Sequence, residues 1–281
     1  MQLSRLLAAC ALAALTVLTG AQAQTPKKLR FATEGAFPPW NWTESDGTLA
    51  GFEIELNKDL CARVKVQCEM EAQAFDGMIP ALNAGKFDAI MAGMSVTPKR
   101  EEAVLFSIPY GTTGQTFATL KSGPVGKLPD TGALYSLTND EAGAIAALEK
   151  LKPAIKGKVV GVQTSSIAAA FLDKYLKGMV QVREYKTTEQ HDLDLLAGRV
   201  DIVMASMAYL STFKAKPGNE EVIVSGPRFQ GGLLGKGSAI AFRKTDTELK
   251  ARFDAAIVAA NKDGTVRRLS NKYFGYDVTP R

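Results

Sequence analysis

Apolar residues fall along this chain in two alternating rhythms. Short apolar-rich runs without helical spacing, at Leu29–Ala32 and Val159–Val162, predict the first strands of two halves, each followed by a polar loop and a helix. Stretches with helix-forming character lie at Phe52–Arg63, Asp76–Asn83, Pro98–Ala103, Ile167–Leu176, His191–Ala197 and Glu248–Lys262. Strand and helix in alternation predict an α/β fold of mostly parallel sheets flanked by helices, with ligands at the C-terminal ends of the strands.

The pattern also repeats itself. Leu82-Asn83-Ala84-Gly85-Lys86-Phe87-Asp88-Ala89-Ile90-Met91-Ala92-Gly93-Met94 aligns with Leu195-Leu196-Ala197-Gly198-Arg199-Val200-Asp201-Ile202-Val203-Met204-Ala205-Ser206-Met207 when Gly85 is set on Gly198. Each copy reads as a helix closed by a glycine, a basic residue and a short apolar strand. Two lobes with the same α/β unit are therefore expected. The repeat puts Ala92, Gly93 and Ser95 at a strand end in one lobe, and Ala205 and Ser206 at the equivalent end in the other. Residues 24–112 and 232–281 are assigned to the first lobe and 113–231 to the second. Two crossovers, near Gly111–Gln115 and Gly226–Gly232, would join them. Between Lys121 and Lys156 the pattern breaks at Gly123-Pro124, Pro129-Asp130 and Pro153 around an alanine-rich helix, Glu141–Lys152, so 121–156 reads as an insertion in the second lobe.

The N-terminus changes the picture of where this fold operates. Arg5, the apolar run Leu6–Leu18 and the small-residue site Ala21-Gln22-Ala23 predict a secretory signal peptide cleaved near Ala23, hence a periplasmic chain. The run is too short to span a membrane. Leu7-Ala8-Ala9-Cys10 offers an alternative lipoprotein cut, although the residues after Cys10 remain apolar instead of forming a polar tether. About 258 residues remain, enough for a two-lobed molecule. A composition of 46% hydrophobic and 22% charged residues excludes disorder. The net charge of +5 is interleaved along the chain, which reads as solvated surface and speaks against a nucleic-acid partner. With Cys10 gone, Cys61 and Cys68 form an even pair that an oxidising compartment favours as a disulfide, two free thiols being the alternative. The single histidine, His191, and the absence of a zinc-spaced thiol cluster predict no metal and no cofactor. His191 is expected at the surface or as a capping residue, away from any strand end.

Candidate binding chemistry concentrates at the strand ends. In Thr97-Pro98-Lys99-Arg100-Glu101, Thr97 suits an N-cap and Pro98 the first helical position. Arg100 then lies where the helix dipole disfavours a cation, a conflict that a carboxylate taken by its guanidinium would resolve; pairing with Glu101 or Glu102 is the other reading. Val162-Gln163-Thr164-Ser165-Ser166 joins strand to helix with small polar residues that can hold an anion, or simply cap the helix. Glu34 beside Phe37-Pro38-Pro39-Trp40, with Phe75 ahead of the next helix, suits the cationic end of a ligand, though each aromatic taken alone could equally be core.

With Thr33-Glu34-Gly35, Gly51-Phe52-Glu53-Ile54, Phe75-Asp76-Gly77-Met78-Ile79-Pro80, Met94-Ser95-Val96-Thr97-Pro98-Lys99-Arg100 and Asp263-Gly264-Thr265-Val266 in this order, the mature sequence resembles the family 3 periplasmic amino-acid-binding proteins of ABC importers. The 121–156 segment, Gly226-Pro227-Arg228, Gly231-Gly232-Leu233-Leu234-Gly235-Lys236-Gly237 and Phe274-Gly275-Tyr276-Asp277 look most like the octopine- and nopaline-binding branch, beside the lysine/arginine/ornithine binders. The resemblance implies a two-lobed type II binding protein, monomeric, that shuts over a small amino-acid-like ligand and docks on an inner-membrane ABC permease. It implies that Gly93, Ser95 and Arg100 hold an α-carboxylate, that Phe37 and Phe75 sandwich the ligand side chain, and that Glu34 meets a guanidinium or amine. It further implies contacts from Gln163, Ser165 and Ser166. Binders of basic amino acids place an aspartate where this chain has Ser206, whereas opine binders resemble it there; Gln115 falls where that branch varies with its opine. The rival from another class is an enzyme on the same scaffold, of cyclohexadienyl dehydratase type, which would need an acid–base pair in the cleft. Glu34 could be one member. No second member is apparent.

Overall fold

A computed structural model describes residues 28–280; the signal peptide, Cys10 and the cut near Ala23 lie outside the described residues. Two main sheets organise the chain. The first is five-stranded, in the order Gln67–Ala72, Lys28–Thr33, Ala89–Ile90, Ala241–Phe242, Leu105–Phe106. The second is six-stranded, in the order Gln181–Tyr185, Val159–Gln163, Ile202–Ser206, Gln115–Leu120, Val222–Gln230, Leu134–Ser136. In both, the first three strands are parallel and the fourth runs antiparallel to the third. That fourth strand belongs to chain that has just crossed over. Gln115–Leu120 enters the second sheet directly after the first half, and Ala241–Phe242 returns to the first sheet after the second half.

The internal repeat has a physical basis in this equivalence. Asp88 Oδ2 accepts from the Arg30 N–H at 2.9 Å, and Asp201 Oδ2 accepts from the Val159 N–H at 2.8 Å. The repeated aspartate thus satisfies the start of the first strand in each half. Gly85 and Gly198, at φ 77° and 68°, close the preceding helices in the left-handed conformation that glycine adopts without strain.

Helices cover both faces of each sheet, so side chains on both sides of a strand are buried. Leu29 and Phe31 pack under helices Phe52–Val64 and Thr247–Lys262, while Ala32 faces Met78, Leu82 and Phe87 on the other side. Ile202 and Met204 pack against Phe171 and Leu172; Val203 and Ala205 pack against Tyr209 and Phe213. The apolar runs of the sequence follow directly from that double covering. In helix Phe52–Val64 the stripe Phe52, Leu56, Leu60 and Val64 is buried, each side chain contributing roughly 1.5–3 kcal/mol. The helix ends at Lys65, at φ 58°, and the disulfide Cys61–Cys68 ties its last turn to strand Gln67–Ala72. Replacing both cysteines by serine should lower stability by about 2 kcal/mol in urea denaturation, the entropy expected for so short a closed loop. The cleft described below should be unaffected, because neither cysteine lines it.

Several elements depart from the sequence reading. The loop after the first strand is a three-stranded antiparallel sheet, Ala36–Phe37, Asn41–Thr43 and Leu49–Ala50, turned at Asp46-Gly47. Trp40 anchors it edge-on against Phe52, Tyr110 and Phe274. The helix at Pro98 stops at Glu101 after a single turn. Asp76 belongs to a 3-10 turn, Phe75–Gly77, ahead of helix Met78–Asn83. Helix Glu141–Ile155 runs through Pro153, which sits in its last turn and so removes only one late hydrogen bond. That segment is built into the second half: Leu134–Ser136 pairs with Val222–Gln230, and Ala144, Ala147, Leu148, Leu151 and Ile155 are buried core. His191 is also corrected, from surface to fully buried. The helix begins at Thr188, capped by Thr187 and Gln190, so Thr188, His191, Asp192 and Leu195 form its inner face. His191 packs on Gly161, where an added Cβ would lie 3.1 Å from the His191 Cβ.

Candidate functional site

The C-terminal ends of both parallel strand sets point into one cavity between the two sheets. Of the residues singled out from the sequence, Glu34, Phe37, Phe75, Ala92, Gly93, Ser95, Arg100, Gln115, Gln163, Ser166 and Ser206 all line it. Ser165 does not. It adopts φ 58° and lies in the adjoining groove, where its carbonyl accepts from Arg100 Nη2 at 3.0 Å.

Arg100 is positioned by the turn Thr97–Glu101. Its N–H bonds to Thr97 Oγ1 at 3.3 Å, and its Nη1 donates to the Ser95 carbonyl at 3.1 Å. The guanidinium lies over the Phe75 ring, 5.4 Å from its centre, and burial lowers its pKa to about 10. Neither Glu101 nor Glu102 pairs with it among the described residues. Because the helix is one turn long, an anion seated here would meet the guanidinium and not a helix dipole. Carbonyls engage only part of its fork, leaving donors for a bidentate partner.

Glu34 and Gln163 lie at the C-terminal end of the first strand of each half, and Gln163 Nε2 donates to Glu34 Oε1 across the cavity. Glu34 is 8% exposed. Burial pushes its carboxyl up to about 7; the Gln163 hydrogen bond works against the rise, and the nearby Glu53 charge adds to it. No cation faces it in a described ion pair. A buried carboxylate with one amide partner is electrostatically ready for a ligand cation.

The aromatic residues already have one partner each. Phe75 lies under Arg100, and Phe37 stacks on Tyr209 of the other half at 5.2 Å and 9°. Tyr209 in turn donates to buried Asp192. Gly93, at φ 61°, lets Phe37 approach, since a Cβ there would lie 3.1 Å from the ring. The Gly93 N–H donates to Glu53 Oε1 at 2.7 Å. Glu53 also accepts from Asn41 Nδ2 at 2.6 Å and from the Tyr110 hydroxyl. It is fully buried, and that burial raises its pKa. Ser166 caps helix Ile167–Leu176 through the Ala169 N–H, and Ser206 caps helix Met207–Ala215 while its hydroxyl meets Thr113 Oγ1 at 2.9 Å.

Sequence reasoning missed the floor of the cavity. Thr112, Thr113 and Gly114 from one crossover, Gln230 and Gly231 from the other, and Ser238 beyond it line it as well. Any cleft between two lobes has its joints at the bottom, so the crossovers were a usable signal. The Glu53 hub was signalled too, by an acid set inside the apolar opening turn of a helix.

Comparison with known proteins agrees with this architecture. A model of the bacterial extracellular solute-binding proteins, family 3, matches residues 29–276. The octopine-binding periplasmic protein of Rhizobium meliloti is 42% identical, over 95% of this chain and 97% of its own length. The L-arginine-binding protein of Pseudomonas aeruginosa is 34% identical, over 97% and 96% respectively. A solved structure of an ancestral arginine-binding protein bound to arginine superimposes with a TM-score of 0.75 at 32% identity, covering 89% of this chain and 100% of that one. With two similarly ordered sheets meeting at one cleft and a family match over nearly the whole described chain, the protein belongs to the bacterial extracellular solute-binding proteins, family 3.

Proposed function

We propose that this protein is not an enzyme and captures an opine or a basic amino acid in the periplasm by hinge closure, then hands it to an inner-membrane ABC permease. The observation that carries the reading is a cation and an acid in one cleft, neither of them in an ion pair among the described residues: the Arg100 guanidinium and the Glu34 carboxyl. They suit a ligand with a carboxylate at one end and a guanidinium or amine at the other. Ser95, Gln163 and Ser166 add polar contacts, Phe37 and Phe75 flank the side chain, and Ala92 and Gly93 leave it room. The octopine- and arginine-binding relatives favour this ligand class. Ser206 and Gln115 place no negative charge beside the ligand's amine, which suits an opine with its second acid. The lobes are 24–112 with 232–281, and 113–231; rotation is absorbed at Gly111–Gln115 and Gly226–Gly232. The protein acts as a monomer, and sedimentation at a single monomer mass with and without ligand is the expected result.

Thermal shift against arginine, lysine, histidine, octopine, nopaline and aromatic precursors, with product analysis, tests the reading. Stabilisation by an opine or basic amino acid recovered unaltered is expected. Turnover of a prephenate-like acid would overturn it in favour of dehydratase chemistry. His191, buried outside the cleft lining, is not available as a member of the acid–base pair such chemistry needs.

The raised Glu34 pKa gives a pH dependence of known sign. A ligand cation holds Glu34 ionised, so below about pH 7 binding must release a proton. Affinity for a cationic ligand is then expected to fall about tenfold per pH unit as pH drops below that point, and to be level above it. Calorimetry from pH 5 to 8 reads this directly, and Glu34→Gln should flatten the profile. A flat profile in the unaltered protein would remove the ion pair.

A further inference from the structure

Phe37 belongs to the first half but is held by both. It packs against the first half's core cluster around Phe31 and Trp40 and against the second half's cluster around Val203 and Tyr209. Its contact with Tyr209 is a parallel stack, with 5.2 Å between ring centres and 9° between planes. One position earlier, the Ala36 carbonyl accepts from Thr188 Oγ1 at 3.2 Å. Together these contacts join the short strand Ala36–Phe37 to two helices of the second half, Thr188–Leu196 and Met207–Ala215.

Both sides of this seam are braced. Strand Ala36–Phe37 pairs with Asn41–Thr43, and Trp40 between them packs edge-on against Phe52, Tyr110 and Phe274. Opposite, Tyr209 is buried; its hydroxyl donates to Asp192 Oδ2, and the His191 ring meets it edge-on at 6.2 Å. Phe37 lines the cleft and Tyr209 does not. One face of the Phe37 ring is therefore taken by Tyr209, and the cleft has only the rest of the ring. A contact across the seam exists only while the halves are shut, so it raises the closed-to-open ratio. Where the open form dominates without solute, apparent affinity rises by the same factor, with no contact between Tyr209 and solute.

We propose that Tyr209 is a positioning residue for solute capture: a platform in the second half on which Phe37 seats as the halves shut, setting affinity through Phe37 alone. This rests on the hinge-closure reading above. Tyr209→Leu removes the stack and is expected to weaken binding of arginine and of octopine by the same factor, about 3- to 10-fold, the loss of an aromatic pair. The loss should fall on dissociation, with association little changed. Tyr209→Phe also leaves Asp192 without its donor but keeps the ring, so the difference between the two variants isolates the stack. It should lower stability in urea yet hold affinity within about twofold of the unaltered protein. In a Phe37→Leu background, Tyr209→Leu should cost no further affinity. A full cost there, or unchanged affinity in Tyr209→Leu alone, overturns the proposal. Fluorotyrosine placed at position 209 alone decides without depending on how the variants fold. Its fluorine resonance should move on adding arginine or octopine, as the Phe37 ring arrives, and a fixed resonance overturns the proposal. Small-angle scattering of the unaltered protein separates this proposal from the reading beneath it. Contraction on adding either solute, with no effect of Tyr209→Leu, sinks the platform alone; no contraction sinks hinge closure and the platform together.

Discussion

Replacing Arg100 by alanine should weaken solute binding by ~2–5 kcal/mol, which is tens-fold to a few thousand-fold in affinity. The size of the loss comes from burial. A carboxylate drawn into a closed cleft loses its water, and without the guanidinium it has no compensating charge. Arg100→Lys should recover only part of the loss, because an ammonium cannot offer two parallel donors to a carboxylate or spread over the Phe75 ring as a plane. Folding stability should hardly move in either variant, since Arg100 is tied to the protein only by two carbonyls and a ring. Calorimetry with the solute identified by thermal shift measures the effect, and unchanged affinity in Arg100→Ala would exclude Arg100 from the site.

The second large effect is expected from Glu53→Ala, and it falls on stability. Glu53 is fully buried and accepts from the Gly93 N–H, the Asn41 amide and the Tyr110 hydroxyl. Removing it leaves three buried donors in a space too small for each to find water. At about 1–3 kcal/mol per orphaned donor, with partial relaxation, a loss of about 3–5 kcal/mol is expected. Urea denaturation reads it, and a loss under about 1 kcal/mol would show that the hub is not structural. Binding should weaken as well, because Gly93 and the Phe37 ring above it lose their reference point. The pH dependence has a definite sign. Burial raises the Glu53 carboxyl above its unfolded value, so its contribution is fully present in acid and declines as pH rises towards the folded pKa.

How much of this could be read without the structure varies by element. The first strands and the helices Phe52–Val64, Ile167–Leu176 and Thr247–Lys262 were legible to within a residue or two, because their apolar patterns face a core on a fixed period. The repeat was legible because each copy solves the same local problem, with a glycine closing a helix and an aspartate satisfying a strand. His191 was misplaced because the start of its helix is set by the Thr187–Gln190 capping box, and shifting that start by three residues turns the same side chain from outside to inside. Trp40 and its small sheet were hidden in a run that reads as a polar turn, since its support comes from Phe52, Tyr110 and Phe274, which are distant in sequence.

The cleft divides along the same line. Residue type at a strand end is a local property, and Glu34, Arg100, Gln163 and Ser206 could be picked out from it. Which donors are already engaged is not local. Gly93 gives its N–H to Glu53, forty positions earlier, and Ser165 turns its carbonyl to Arg100 from the opposite lobe. The amino-acid order by itself determined the periodic elements, their pairing into two like halves and the chemistry available at the strand ends. Only the tertiary structure decided which of those groups face one another and which remain free, because hydrogen bonds and desolvation depend on distances of a few ångströms between segments that the chain brings together from far apart.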